Sequence, residues 1–199
     1  MSGESTVLVV DDEVEVARAY AAWLDDGYEV QTAHDGREAL AVVSESIDVV
    51  LLDRRMPRLS GDEALERIRA RGYDVRVAVV TAVDPDFDVV EMPFDTYLTK
   101  PVNQSDLFAA VETLSALAEY DDAVLREFAL AEKRAALEAA KPAAELSADE
   151  RFARLDEALS EARCEAIDRL GEVDHETATA ALSGLSADVN ARHGAVSSW

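Results

Sequence analysis

The sequence predicts a doubly wound α/β fold with a five-stranded parallel sheet, followed by an all-α C-terminal module. Short apolar runs alternate with helical segments as far as about residue 118, which is the pattern of a parallel sheet covered by helices on both faces. The composition then shifts to Ala, Glu, Leu and Arg, with no glycine until Gly171, which indicates helices. We therefore expect one domain at residues 1–119 and a second, helical one at residues 120–199.

The five predicted strands are continuous apolar runs, as the inner strands of a parallel sheet require. They span residues 6–10, 28–33, 47–52, 75–80 and 94–98. Helical spacing of apolar residues predicts helices at 14–24, 37–43, 62–69 and 105–117, with a short and poorly defined one near 86–90. With the strand order 2-1-3-4-5, the first and third strands are neighbours at the point where the strand order reverses.

The C-terminal module is predicted to contain helices at about 122–140 and 148–171 and a weaker third helix after residue 174. Asp121 or Asp122 caps the first helix, Lys141-Pro142 ends it, and Ser147 with Glu150 predicts a capping box for the second. Each helix has a narrow apolar stripe, made of Val124, Leu125, Phe128, Ala131 and Ala135 in the first and Phe152, Leu155, Leu159, Ala162 and Ala166 in the second. These stripes suit a hairpin or pairing across a homodimer, and we expect the homodimer.

The charge is strongly acidic along the whole chain: 42 Asp and Glu side chains against 19 Lys and Arg, a net charge of −23, with three lysines in all. This composition indicates adaptation to molar intracellular salt, where a Debye length of about 3 Å screens the self-repulsion of the surface. A single cysteine excludes an internal disulfide. Neither a membrane span nor a signal peptide is evident, so we expect a cytoplasmic protein that does not bind membranes.

Polar side chains follow the predicted strands at the edge where ligands bind in such sheets. Asp11 and Asp12 follow the first strand, Asp53 the third, Thr81 the fourth and Lys100 the fifth. Three convergent carboxylates without His or Cys favour Mg²⁺ over a transition metal. A metal and a lysine around a nucleophilic carboxylate predict a phosphoryl-transfer site.

The motifs "VLVVDDE", "VVLLDRRMPRLSGDEAL", "VVTA" and "YLTKP" stand in the order and at the spacing of a known family. Together they make residues 5 to about 118 resemble the flavodoxin-like receiver domain of two-component response regulators. The resemblance implies that Asp53 is the phosphoacceptor, modified to 4-aspartylphosphate. It also implies that Mg²⁺ is bound by Asp11, Asp12, Asp53 and the backbone carbonyl of Arg55.

The same resemblance assigns three further residues to the phosphorylated state. Thr81 resembles the switch hydroxyl, Tyr97 the aromatic side chain that turns inward with it, and Lys100 the ligand of the phosphoryl group. A cis Lys100-Pro101 bond is expected as well. The implied function is phosphorelay signalling, in which a sensor histidine kinase supplies the phosphoryl group and the only catalysis is the chain's own phosphorylation and dephosphorylation.

The C-terminal tract resembles the HalX-type module of haloarchaeal receivers, on an aromatic residue near its start, the run "LREFALAEKRAALEA" and its acidic composition. The resemblance implies a helical output module, which we interpret as a protein-interaction or oligomerisation element with an unknown output protein.

The alternative is a DNA-binding transcriptional regulator that uses the C-terminal helices. A helix-turn-helix would need the segment after residue 174 as its recognition helix, and "HETATAAL" lacks Arg and Lys, so nucleic acid is not favoured. A phosphatase with an aspartate nucleophile is not favoured either, because Arg55 stands where it needs an acid.

Overall fold

The structure is a computed structural model that describes residues 5–117 and 122–170. The described residues form two compact units, 5–84 with 92–117 and 85–91 with 122–170. The predicted third C-terminal helix and the candidate helix-turn-helix lie outside them. None of the helices within the described ranges is both long and apolar enough to cross a membrane.

The first unit contains a five-stranded parallel sheet. Its strands are β1 Thr6–Val10, β2 Glu29–Ala33, β3 Val49–Leu52, β4 Arg76–Thr81 and β5 Thr96–Thr99, in the order β2-β1-β3-β4-β5. The predicted fold class and strand order are confirmed. Because β1 and β3 are adjacent, with Val10 opposite Leu52, their carboxyl ends lie side by side. The residues that follow these two strands are therefore brought together.

Four helices accompany this sheet: α1 Val14–Leu24, α2 Gly36–Val42, α3 Gly61–Ala70 and α4 Gln104–Leu117. The sequence predicts them to within a residue at either end. Four strands begin later than predicted, β2 and β4 by one residue and β3 and β5 by two. β3 starts two residues late because the amide of Ile47 donates to Ser44 in a turn, at 3.1 Å. β5 also starts two residues late, at Thr96.

The helix predicted near residues 86–90 is a single 3₁₀ turn, Phe87–Val90, which we call the 3₁₀ segment together with its flanks, residues 85–91. The carboxylate of Asp86 caps the turn by accepting a hydrogen bond from the amide of Phe87 at 2.7 Å. In sequence this segment lies between β4 and β5. In the structure it belongs to the second unit, with the C-terminal helices.

The second unit consists of the 3₁₀ segment with α5 Asp122–Ala140, α6 Ala143–Leu146 and α7 Glu150–Leu170. The long helices α5 and α7 pack against each other within one chain, as in the predicted hairpin. Their predicted apolar stripes are buried, apart from half-buried Ala131. Both stripes are thus covered without a second subunit.

The predicted capping box at Ser147 and Glu150 is wrong. The short helix α6 occupies the preceding residues, and the hydroxyl of Ser147 donates to the carbonyl of Ala144 at 3.2 Å. The carboxylate of Asp149 caps α7 instead, accepting a hydrogen bond from the amide of Arg151 at 2.8 Å. Asp is as good a helix cap as Ser, so the local sequence allowed both.

Helix α5 also buries charged side chains, although none of them belongs to its predicted apolar stripe. Glu127, Glu132 and Lys133 are all buried. The guanidinium of Arg163 on α7 donates to Glu127 Oε1 through Nε at 3.1 Å and Nη2 at 3.0 Å. A buried carboxylate needs such a partner, since burial of an unpaired charge is costly. The hairpin is therefore fixed by polar pairing as well as by its apolar stripes.

We expect Arg163→Ala to lower the free energy of unfolding of the helical unit by about 1–3 kcal/mol, because it removes a charged donor from a buried carboxylate. Urea unfolding followed by circular dichroism in molar KCl measures the change. Arg154→Ala, an exposed arginine on the same helix, is the matched control and should change stability by about 0.5 kcal/mol or less. Equal stabilities for the two variants would contradict a stabilising role for the Glu127–Arg163 pair.

Candidate functional site

Three carboxylates converge at the carboxyl ends of β1 and β3. Backbone hydrogen bonds fix their positions: the amide of Asp53 donates to the carbonyl of Val10 at 3.0 Å, and that of Asp11 donates to the carbonyl of Ala33 at 3.1 Å. One carboxylate oxygen each of Asp11, Asp12 and Asp53 lies within 4.8 Å of the others. Asp11 and Asp53 are buried and Asp12 is exposed. The side chains predicted to meet here do so.

Lys100 supplies the positive charge of this cluster. It follows β5, and its backbone amide donates to the carbonyl of Thr81 at 2.8 Å. Its ammonium donates to Asp11 Oδ2 at 2.6 Å and to Asp53 Oδ2 at 2.7 Å. The bond to Pro101 is cis, as predicted. One side chain thus joins both buried carboxylates.

Burial and pairing oppose each other in the pKa values of this cluster. Burial raises the pKa of Asp11 above its ordinary value, although hydrogen bonds from Lys100 and from the amide of Glu13 act in the opposite direction. Burial lowers the pKa of Lys100, but the hydrogen bonds to Asp11 and Asp53 outweigh it and the pKa is raised. Lys100 therefore remains a cation at neutral pH.

The donor set fits a hard divalent cation. Among the described side chains, Asp11, Asp12 and Asp53 form a group that offers three carboxylate oxygens to one ion, and oxygen is the ligand that Mg²⁺ prefers. One ammonium group balances part of their negative charge. The amide of Arg55 donates to Asp53 Oδ1 at 3.1 Å, which brings the backbone of the loop after β3 beside the cluster.

Thr81 and Tyr97 are linked through the backbone of Val83. The hydroxyl of Thr81, at the end of β4, accepts a hydrogen bond from the amide of Val83 at 3.4 Å. The hydroxyl of Tyr97, on β5, donates to the carbonyl of Val83 at 2.6 Å. Thr81 and Tyr97 are both buried, so the aromatic ring points inward. The two residues predicted to move together share one bonding partner.

The sequence did not reveal how closely the loop after β3 folds back over Asp53. The amide of Gly61 donates to the carbonyl of Arg54 at 2.8 Å. A Cβ atom on Gly61 would lie 2.0 Å from the carbonyl oxygen of Asp53 and 2.8 Å from Cα of Arg54. Glycine is required here by this close approach of two backbone segments.

The neighbouring residues Arg54 and Arg55 differ in burial, which the sequence did not show. Arg54 is buried, and its guanidinium makes a two-pronged pair with Asp62, at 3.0 Å and 2.9 Å. Arg55 is exposed. The Arg54–Asp62 pair ties the residue after Asp53 to the first turn of α3. His34 lies near the site too, with Nδ1 3.2 Å from the carbonyl oxygen of Asp11.

Sequence profiles of two known families match the chain. The profile described as "Response regulator receiver domain" matches residues 7–112, and the profile of the HalX domain matches residues 107–183. The receiver match spans more than half of the chain and includes the whole acidic site. The chain belongs to the response regulator receiver family, and its C-terminal part carries a HalX domain.

Individual relatives agree with this assignment. A Haloferax volcanii protein, provisionally named as a transcriptional regulator, is 46% identical over 180 residues, which are 89% of this chain and 29% of that protein. The transcriptional regulatory protein CpxR of Klebsiella pneumoniae is 34% identical over 146 residues, 71% of this chain and 58% of CpxR. The chain thus spans less than a third of the first relative and about three fifths of the second.

A solved structure resembles the first unit. The CheY-like response regulator receiver domain protein of Methanospirillum hungatei matches with a TM-score of 0.56 and 26% identity. The match covers 59% of this chain and 98% of that protein. The five-stranded sheet and its helices are therefore those of a receiver domain.

We expect Gly61→Ala to lower the free energy of unfolding by about 3 kcal/mol, because the new methyl group must displace the backbone at Asp53. Thermal unfolding in molar KCl measures the loss. Gly27→Ala is the matched control, since its added Cβ would make only ordinary contacts of 3.7 Å with the ring of Phe108. Unfolding temperatures that fall equally in both variants would contradict the steric requirement at Gly61.

Proposed function

We propose that this chain is a response regulator of a two-component phosphorelay, which accepts a phosphoryl group on Asp53 from a sensor histidine kinase. One observation carries the proposal: the ammonium of Lys100 bonds both Asp11 and Asp53 within a cluster of three carboxylates. The arrangement places a nucleophile next to a fixed cation and a set of metal ligands, as phosphoryl transfer requires. Membership of the receiver family supports the same chemistry.

In the transfer step, a carboxylate oxygen of Asp53 forms a bond to phosphorus while the bond from phosphorus to the imidazole nitrogen of the donor breaks. Mg²⁺ bound by Asp11, Asp12, Asp53 and the carbonyl of Arg55 would supply positive charge next to the transferred group. Lys100 exchanges its hydrogen bond to Asp53 for one to a phosphoryl oxygen. The hydroxyl of Thr81 donates to another oxygen, and Tyr97 stays inward. Fixed donors of this kind stabilise the charge of the transition state.

Hydrolysis resets the site. Water attacks phosphorus and the O–P bond to Asp53 breaks. The carboxylate of Asp53 is regenerated, and inorganic phosphate leaves the site. The chain acts on its own aspartyl phosphate and on no separate substrate. Arg55 stands two residues after Asp53 with an exposed side chain, so we propose that it lies over the phosphoryl group and restricts the attacking water.

We further propose that the protein works in the cytoplasm at molar salt. We also propose that the boundary between its two domains lies between residues 119 and 120. The net charge of −23 supports the salt requirement, as does the similarity to a Haloferax protein.

For the output we propose protein interaction through the helical module. A homodimer that paired the two apolar stripes would have to exchange helices between chains, because α5 and α7 already cover them within one chain. The names of the relatives favour the alternative, DNA-binding regulation of transcription. Capture of protein and of DNA by the phosphorylated and unphosphorylated chain in molar KCl distinguishes the two outputs.

With Mg²⁺ and acetyl phosphate, we expect Asp53 to be the single phosphorylated residue, because it holds the position of the phosphoacceptor in the receiver family and is bonded to Lys100. Intact-protein and peptide mass spectrometry measure and locate the adduct. Asp53→Asn and addition of EDTA should each abolish it. Asp106→Asn, on the exposed surface of α4, is the control and should be phosphorylated normally. An adduct on another residue, or one formed equally well in EDTA, would refute the assignment.

We expect Arg55→Ala to shorten the half-life of the phosphorylated state about two- to tenfold, equivalent to roughly 0.4–1.4 kcal/mol in the barrier to hydrolysis. The decay of the adduct after removal of acetyl phosphate gives the half-life. Arg37→Ala, an exposed arginine on α2, serves as the control for the loss of one surface charge. A half-life that is unchanged or longer in Arg55→Ala would count against shielding by this side chain.

A further inference from the structure

The 3₁₀ segment, residues 85–91, is separated in sequence from the rest of the unit to which it belongs. Its residues stand between β4 and β5 in sequence, but they pack with the C-terminal helices in the second unit. Phe87 and Val89 are buried. The helical unit therefore holds a short piece of chain that begins four residues after Thr81.

Two cations of the helical unit hold the start of this segment. Lys141 Nζ lies 3.1 Å from a carboxylate oxygen of Asp86 and 4.9 Å from the centre of the Phe87 ring. The guanidinium of Arg151 lies 5.0 Å from the centre of the same ring. A cation at such a distance from an aromatic face is attracted by it. The hydrogen bond from the amide of Phe87, and after it the bond from Lys141, lower the pKa of Asp86, so its carboxylate stays charged.

A third cation holds the end of the segment. Lys133 is buried on α5, and its ammonium donates to the carbonyl of Val90 at 3.2 Å. The whole chain has three lysines, Lys100, Lys133 and Lys141, against 42 acidic side chains. One of the three lies in the phosphoryl-transfer site, and the other two contact the 3₁₀ segment. In so acidic a chain, this use of lysine marks a built binding site.

The segment is also directly continuous with the switch residues. Tyr97 and Thr81 both bond to Val83, and the segment starts two residues later, at Pro85. A displacement of Thr81 must therefore either be absorbed by Val83 and Asp84 or move the segment in its site. Proline restricts the backbone of the residue before it, so Asp84 has limited freedom to absorb the change.

We propose that Lys133, Lys141 and Arg151 form a binding site for the chain's own segment 85–91, and that phosphorylation is transmitted to the helical module as a change in occupancy of this site. The transmission rests on the proposed phosphorylation of Asp53, whereas the binding site itself does not. Coupling of this kind is reciprocal: if phosphorylation alters binding of the segment, binding of the segment alters phosphorylation to the same extent.

The test is made on the full chain in molar KCl with Mg²⁺ and acetyl phosphate. Lys141→Ala combined with Arg151→Ala removes two of the three cations, and Asp86→Asn neutralises the carboxylate of the segment that Lys141 contacts. Hydrogen exchange followed by mass spectrometry reports binding of the segment, because the amides of Val89 and Glu91 are hydrogen-bonded within it. Peptide mass spectrometry gives the fraction phosphorylated at Asp53 at equilibrium with the donor.

We expect the amides of residues 87–91 to exchange faster in both variants, and the equilibrium constant for phosphorylation of Asp53 to differ about fivefold or more from the wild-type value. Glu145→Gln is the matched control: it removes another partner of Lys141, at 2.8 Å, without touching the segment. Circular dichroism of each variant establishes that the helices have formed. If the variant with Lys141→Ala and Arg151→Ala has lost its helices, Asp86→Asn alone tests the site, because its substitution lies outside these helices.

The possible failures are distinguishable. If Asp53 of the wild-type chain accepts no phosphoryl group, the proposed function is refuted, and the transmission with it. If Asp53 is phosphorylated but exchange at residues 87–91 is the same in wild type and both variants, the binding site is refuted alone. Faster exchange with unchanged phosphorylation refutes the coupling between the site and Asp53.

Discussion

The site of the first unit depends on one constraint: three carboxylates that repel one another are held together at the same edge of the sheet. Asp11, Asp12 and Asp53 stand within 4.8 Å of one another because β1 and β3 are adjacent. Two of these carboxylates are buried, where like charges repel strongly. Lys100 compensates in part, and it can do so because all five strands are parallel, so that β5 ends at the same edge of the sheet. The strand order thus brings the acids together, and the parallel direction of the strands brings the lysine to them.

That much could be predicted from sequence because it depends on the sheet alone. Apolar runs locate the strands, and the end of each strand locates a polar residue such as Thr81 or Lys100. Gly61 and the Arg54–Asp62 pair could not be located in this way, because their positions depend on the path of a loop. The motif "VVLLDRRMPRLSGDEAL" contains both residues of that pair, eight positions apart, but no helical or strand periodicity relates them. Burial of Glu127 was missed for a similar reason: its partner Arg163 lies on a different helix.

The helical unit meets a different constraint, which is the small amount of apolar surface that two alanine-rich helices can bury. Small units bury a low fraction of their surface and are marginally stable. In this chain α5 and α7 cover each other's stripes, and the 3₁₀ segment adds two buried side chains, Phe87 and Val89, to the same unit. The segment is therefore part of what makes the helical unit compact. In sequence the segment stands between β4 and β5 of the first unit, so its packing with the C-terminal helices does not follow from its position along the chain.

The shortness of the segment also bears on how a signal could pass through it. A four-residue 3₁₀ turn has too few hydrogen bonds to be stable alone, so its conformation is determined by the surface on which it packs. A full-length helix would keep its own structure whether bound or free. A segment that is ordered by its binding site instead gains or loses that order with binding, and the free-energy difference between the two states is small enough for a local change to shift it. The reduction of this element to one turn is thus the physical feature that would let a displacement at Thr81 reach Lys133, Lys141 and Arg151.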